Sequence, residues 1–337
     1  MNINAMTQPE ADAPILELHD LTVRLGAQPD APTLIEGIEL AMRPGETLGL
    51  VGESGSGKTT LGMSLMRLLP PLLDKGLSGQ ILYHGRDMAT MNARDLSAIR
   101  GAEISMILQD PMASLNPVFS IGTQLKEGLR KHATGQGSVH DRAVRALDDV
   151  RIPSPQTRLT NYPHQLSGGM RQRVVGAISL ARAPKLLIAD EPTTSLDVTI
   201  QYQFLDLLKD LQHRLGMAML FITHDFGVVA RMCDRVAVMY AGQIVEQGPV
   251  RDIFSRPAHW YTRALLDSVP RVNTKPRRLP TITGSPPTVA SRPEGCRFHP
   301  RCANAQSRCK QSPPLADIRD GHAARCWFPV GSERRPV

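Results

Sequence analysis

Gly52-Glu53-Ser54-Gly55-Ser56-Gly57-Lys58-Thr59 is the stretch that decides the fold. It matches the pattern G-x-x-x-x-G-K-[ST] of a phosphate-binding loop. Its setting agrees. Thr47-Leu48-Gly49-Leu50-Val51 before it reads as a buried strand, and residues 61–69 after it read as an apolar helix. The glycines let successive backbone N–H groups turn toward one anion, and the helix start adds partial positive charge. Gly52, Ser54, Gly55, Ser56, Gly57 and Thr60 therefore frame a site for ATP. Lys58 reaches for the terminal phosphates, and the Thr59 hydroxyl is placed for Mg²⁺. A plain Gly/Ser-rich turn is the other reading, and it needs neither the strand nor the helix.

Working outward, Leu186-Leu187-Ile188-Ala189-Asp190-Glu191 is an apolar run ending in two carboxylates. Buried parallel strands read as continuous apolar runs, and ligands gather at their carboxyl ends. Asp190 is then positioned to hold Mg²⁺, and Glu191 to polarise an attacking water as a general base. Upstream, Leu166-Ser167-Gly168-Gly169-Met170-Arg171-Gln172-Arg173 opens a second predicted helix with another anion-binding start. A simple Ser N-cap followed by flexible glycines is the blander alternative.

That third stretch resembles the LSGGQ signature of ATP-binding cassette (ABC) proteins, with Met170 where Gln is usual. The other landmarks of that family follow in order. Gln109 in Ile107-Leu108-Gln109-Asp110-Pro111 matches the Q-loop glutamine. Ser195-Leu196-Asp197 matches the D-loop, and His224 in Phe221-Ile222-Thr223-His224-Asp225 the switch histidine. The resemblance covers residues 15–255. It implies an α/β P-loop cassette with an antiparallel β subdomain, a helical subdomain and a small Cys-containing C-terminal domain. It implies an ATPase with Glu191, His224 and Gln109 as catalytic residues and Mg²⁺ held through Thr59, Gln109 and Asp190. Two cassettes would face each other head to tail, so that Ser167, Gly168 and Gly169 act on the partner's ATP. One departure concerns the base. Leu25 stands where cassettes usually stack an aromatic ring on adenine, which leaves nucleotide discrimination open.

Three further features resemble the oligopeptide/dipeptide/nickel importer ATPases: the phosphate loop itself, Asp110-Pro111-Met112-Ala113-Ser114-Leu115-Asn116-Pro117, and His259-Trp260-Tyr261-Thr262-Arg263-Ala264-Leu265-Leu266, with Trp260 in place of Pro. This implies a second, homologous ATPase subunit, two transmembrane permease subunits and a substrate-binding protein. The stroke would pass through the helical insert, about residues 112–165. The expected place is the cytoplasmic face of the cell membrane, peripherally bound. A nickel-chelate or glutathione importer, or a non-transport ABC ATPase, remains the alternative.

Composition sets the frame. The chain has 337 residues, 41% of them hydrophobic, and a net charge of +7. No run approaches the roughly 18 apolar residues of a membrane span. Residues 1–14 read as a disordered leader without a signal-peptide pattern. Residues 15–255 read as the cassette, 256–293 as a connecting helix and linker, and 294–337 as the Cys-containing domain. Basic clusters fall at Arg271, Lys275, Arg277 and Arg278, and at Arg297, Arg301, Arg308 and Lys310. They read as a solvated tail, or as an anionic contact; without interleaved aromatics, nucleic acid is not expected as a partner. Four of the five cysteines, Cys296, Cys302, Cys309 and Cys326, lie together in sequence. Their long gaps suit a 4Fe–4S cluster better than zinc, and four reduced thiols are the third reading. Cys233 reads as core.

Overall fold

The computed structural model describes residues 13–130, 137–194, 196–269 and 281–331. Nearly all of the expected leader, Ser195 and the basic cluster at 271–278 lie outside the described residues.

Two sheets carry the fold. The smaller is antiparallel and contains β1 (Leu16–Arg24), β2 (Thr33–Met42), β4 (Leu77–Tyr83) and β5 (Arg86–Asp87) in the order β2-β1-β4-β5. The larger contains β3 (Thr47–Val51), β6 (Ile104–Ile107), β7 (Leu186–Asp190), β8 (Ala218–Ile222), β9 (Arg235–Tyr240), β10 (Gln243–Pro249), β11 (Ala316–Arg319) and β12 (His322–Ala324). Its order is β11-β12-β10-β9-β3-β8-β7-β6. The strands β9, β3, β8, β7 and β6 are mutually parallel, in registers such as Leu48 with Leu220 and Leu187 with Met219.

The apolar runs of the sequence follow from burial on both faces. Successive strand side chains point to opposite sides. Leu186 and Ile188 of β7, with Leu220 and Ile222 of β8, join the core shared with the antiparallel sheet, including Leu16, Ile35 and Tyr83. Leu187, Met219 and Phe221 enter the opposite core, which continues into the helical insert through Ile121, Leu125 and Leu147. Each fully buried Leu, Ile or Phe contributes roughly 1.5–3 kcal/mol. The insert is helical at Ile121–Arg130 and Val139–Asp149, and Ser138 with Asp141 forms a capping box at the start of the second helix.

The helix after the phosphate loop is shorter than the sequence suggests and spans Lys58–Leu65. Arg67 turns the chain with φ of 50°. Its guanidinium is held by both oxygens of Asp74, at 2.8 and 2.9 Å, so the apolar residues after Leu65 pack from a turn rather than a helix.

The tail is stitched to the cassette. Strand β12 pairs with β10, Ala324 opposite Glu246 and Ala323 opposite Gln247. The sheet therefore runs past the boundary expected at residue 255. Phe298 is buried between Tyr240 and Tyr261, with ring centroids 5.4 and 5.3 Å apart. The second basic cluster is not simply solvated. Arg297 binds Glu36 and the Ala241 carbonyl, Arg301 binds Glu53, and Arg308 lies over the Trp327 ring. Cys233 packs close beside Gly49, as a core thiol does.

Candidate nucleotide site

The phosphate loop links the fully buried strand β3 to the helix Lys58–Leu65. Two of its glycines are forced by the fold. Gly52 has φ of 154°, and a Cβ there would sit 2.1 Å from the Met239 carbonyl oxygen. Gly57 has φ of 105°, and a Cβ there would meet Ile35 at 2.7 Å. Lys58 is buried, and its Nζ donates to the carbonyls of Gly52 at 2.8 Å and Glu53 at 3.0 Å. Burial pushes its pKa down, against the opposing pull of Glu191, Asp190 and Glu53.

Asp190 ends β7 and is buried, with Oδ1 lacking any hydrogen-bond partner. Burial raises its pKa, while Thr59 and Lys58 pull it back. An orphaned buried carboxylate oxygen beside a hydroxyl and an ammonium fits a hard cation, which prefers oxygen ligands.

Glu191 follows with φ of 44°, in the left-handed region, and its backbone N–H donates to the Ile222 carbonyl at 2.9 Å. Such a conformation in a non-glycine residue costs about 1–3 kcal/mol and persists where surrounding structure holds it. Three side chains from separate segments meet its carboxylate. Gln109 Nε2 donates to Oε2 at 3.1 Å, Thr194 Oγ1 donates to Oε2 at 2.9 Å, and His224 Nδ1 lies 3.2 Å from Oε1. Held this way, Glu191 can accept a proton while His224 and Gln109 orient neighbouring groups.

A cavity of about 610 Å³ opens over this arrangement, a size suited to a small-molecule ligand. It is lined by Ser54, Gly55, Gly57, Lys58, Thr59, Thr60, Gln109, Glu191 and His224, together with Leu34, Thr194, Val289 and Arg292. Gly52, Ser56 and Asp190 are buried outside its lining. Leu25 does not line it and is exposed. Thr194, Leu34, Val289 and Arg292 escaped the sequence reading. Thr194 follows the carboxylates by three residues and could have been found. The tail residues carry no local signal.

Ser167, Gly168, Gly169 and Met170 line a different cavity, of about 400 Å³, with Asp197. Ser167 caps the helix Gly168–Leu180 by accepting from Met170 N, and Asp197 caps the helix Val198–Leu215 by accepting from Ile200 N at 3.0 Å. Within one chain, then, the helix starts at Lys58 and Gly168 line separate cavities.

Cys296, Cys302, Cys309 and Cys326 line one small cavity of about 10 Å³ beneath Trp260 and Phe298. All four are free thiols. Burial raises the pKa of Cys296 and Cys302 and pushes Cys326 up to about 12, and neighbouring thiols add to each. Among the described residues, no group of three or more His, Cys, Asp or Glu is set to hold a metal ion. The space admits at most one water, so the thiols meet without forming a ligand cage. Arg297 and Arg301 are spent on carboxylates of the cassette. Among the described residues, no helix is long and apolar enough to cross a membrane.

Residues 35–194 match the ABC transporter family, and residues 245–309 match the oligopeptide/dipeptide transporter C-terminal region. The chain belongs to the ATP-binding-cassette ATPases of ABC transporters. Among curated relatives, it is 46% identical to a probable peptide ABC transporter ATP-binding protein of Sinorhizobium fredii, over 95% of this chain and 96% of that one. It is 43% identical to the oligopeptide transport ATP-binding protein OppD of Salmonella typhimurium, over 97% of both. It is 44% identical to the dipeptide transport ATP-binding protein DppD of Bacillus subtilis, over 93% of this chain and 94% of that one. Among solved structures, cbiO1 of Clostridium perfringens, part of the ABC transporter complex cbiONQ, aligns with a TM-score of 0.62 at 28% identity, covering 72% of this chain and 91% of that one. The cassette MJ0796, a dimer in a post-hydrolysis state bound to ADP and phosphate, aligns with a TM-score of 0.61 at 25% identity, covering 70% and 99%.

Proposed function

We propose that the chain hydrolyses ATP as one of two facing cassettes that energise import of di- or oligopeptides through membrane permeases. The observation that carries the ATPase part is the gathering of Gln109, Thr194 and His224 on Glu191 at the mouth of the Lys58 cavity. Lys58 and the loop N–H groups bind the phosphates. Glu191 takes the proton of the attacking water, and His224 and Gln109 hold that carboxylate in place. Thr59, Gln109 and Asp190 would hold Mg²⁺, which supplies charge neutralisation on the phosphates. Catalysis is then positioning and electrostatics.

The head-to-tail dimer rests on the separation of the two cavities. Ser167, Gly168 and Gly169 line a cavity other than the one at Lys58, with Asp197 at the same face, which supports their being presented to ATP by a partner chain, identical or homologous. Peripheral docking on permeases at the cytoplasmic membrane face is supported by apolar side chains exposed just after Gln109: Met112, Val118 and Phe119. A substrate-binding protein would join through the permease. The peptide reading rests on the named relatives and on the match of residues 245–309.

The test is reconstitution in vesicles with the permeases and binding protein. Peptide should stimulate ATP hydrolysis. Stimulation by a nickel chelate and not by peptides would overturn the substrate reading alone.

A structural 4Fe–4S cluster in the tail is the finer part of the proposal, supported by the four cysteines lining one small cavity. Loading requires them to move apart. Elemental analysis of anaerobically purified protein should find about four irons per chain; one zinc, or no metal, would overturn it.

A further inference from the structure

The tail reaches into the nucleotide cavity. Val289 and Arg292 line it together with residues of the phosphate loop and Leu34 of β2. Val289 is an exposed apolar side chain, 39% accessible, on a turn pinned by Thr288 N donating to Ser291 Oγ at 3.0 Å. Together with Leu34 it gives the cavity an apolar side, which suits the face of a base, while the ribose and phosphates need polar partners. Leu25, where an aromatic ring would be expected, lies off this cavity.

Arg292 is fixed rather than mobile. Its terminal nitrogens donate to the carbonyls of Thr33 and, at 2.7 Å, of Leu34. Its Nε is buried and has no partner. No carboxylate pairs with it among the described residues, and burial holds its pKa below the usual guanidinium range. A partly desolvated cation without a counter-anion is costly, and here it borders a cavity built for a polyanion. Gly242 makes the arrangement possible. A Cβ there would fall 2.2 Å from the Leu34 oxygen and 2.7 Å from Arg292 Nη2. The same glycine donates its N–H to Ser56 of the phosphate loop at 2.9 Å.

We propose that Val289 and Arg292 are nucleotide-contacting residues contributed by the tail, Val289 as the apolar wall against the base and Arg292 as a cation facing the nucleotide's charged end. The proposal rests on the reading of the Lys58 cavity as the ATP site. It makes the C-terminal segment a working wall of the nucleotide site.

Calorimetric binding of Mg-ATP and of Mg-tripolyphosphate, which lacks base and ribose, separates the possibilities in the purified full chain. Val289→Asn, which removes the apolar surface without adding charge, should weaken ATP about tenfold while leaving tripolyphosphate unchanged. Arg292→Gln should weaken both ligands about tenfold, and Arg292→Lys should recover part of the loss. Melting curves check that each variant is folded. Val289→Asn is the primary variant, since the Val289 side chain holds no structural hydrogen bond. Wild-type ATP affinity in Val289→Asn, or equal loss of both ligands, overturns the base wall. Wild-type tripolyphosphate affinity in Arg292→Gln overturns the cation. If Lys58→Ala also binds ATP normally, the ATP-site reading fails instead.

Discussion

Arg301 grips Glu53 with both terminal nitrogens, Nη1 2.7 Å from Oε2 and Nη2 3.1 Å from Oε1. One residue stands beside a cysteine of the tail, the other inside the phosphate loop. Tyr240 accepts a further hydrogen bond from Arg301 at 3.2 Å, and the Tyr261 hydroxyl accepts from Glu53 N at 2.9 Å. The loop is therefore braced from the C-terminal side by a side chain of the stretch His259–Leu266 and by the tail's own arginine.

Cutting this brace should be measurable. Arg301 is nearly buried, and its guanidinium is held charged mainly by the Glu53 hydrogen bonds. Arg301→Ala should lower unfolding stability by about 2–4 kcal/mol, because Glu53 is left partly buried and unpaired. Arg301→Lys should recover only part, since an ammonium lacks the bidentate fork. A denaturant-melt double-mutant cycle with Glu53→Gln reads the coupling. Strict additivity would show that the two residues act independently.

Glu191→Gln should keep ATP binding and reduce turnover by about 10²- to 10⁴-fold, the usual worth of a positioned general base. The amide keeps the size and one acceptor but cannot take a proton. His224→Ala should cost less, since it removes one of three contacts on that carboxylate. Single-turnover hydrolysis beside equilibrium binding separates the two effects. Wild-type turnover in Glu191→Gln would reassign the base.

What the sequence displayed and what it hid divide along one physical line. The phosphate loop, the strand ending at Asp190 and the Ser167 helix start are local patterns, in which neighbours in sequence do the work. They could be read directly, and the structure brings Lys58, Gln109, Glu191 and His224 to one cavity. Val289 and Arg292 line that cavity through long-range docking, Arg292 being bonded to β2 carbonyls that lie 258 and 259 residues away in sequence. No spacing rule encodes such contacts. Leu25 shows the same limit in reverse, since its place in the sequence pattern does not carry it into the cavity. The four cysteines were visibly a group, but the small space between them was not visible.

Hydrolysis should depend on chain concentration. The cavity holding Ser167 is separate from the Lys58 cavity, so on the proposed facing-dimer mechanism an isolated chain owns two half-sites. Turnover per chain should rise as chains, or the cognate partner, are added. Ser167→Arg should abolish that rise while leaving ATP binding at Lys58 unchanged, because Ser167 is exposed and does not line that cavity. Full turnover at high dilution would exclude the facing-dimer mechanism.

The last prediction concerns pH and the seam between cassette and tail. His259 is fully buried at the start of the helix Trp260–Asp267, where its Nδ1 accepts from Tyr261 N at 3.1 Å. Its backbone N–H donates to Glu246, which also binds His322 at 2.7 Å. Burial lowers the His259 pKa from 6.5 to about 4, with Glu246 pulling the other way. The folded state thus binds its proton more weakly than the unfolded chain does. Stability from the neutral imidazole is complete above about pH 6.5 and is lost as pH falls toward 4, by roughly 3 kcal/mol across that window. His259→Asn keeps a cap acceptor and cannot titrate. Between pH 7 and 4 its melting temperature should fall less steeply than that of the native chain. Parallel slopes for the two proteins would show that His259 is not the group that loosens this seam in acid.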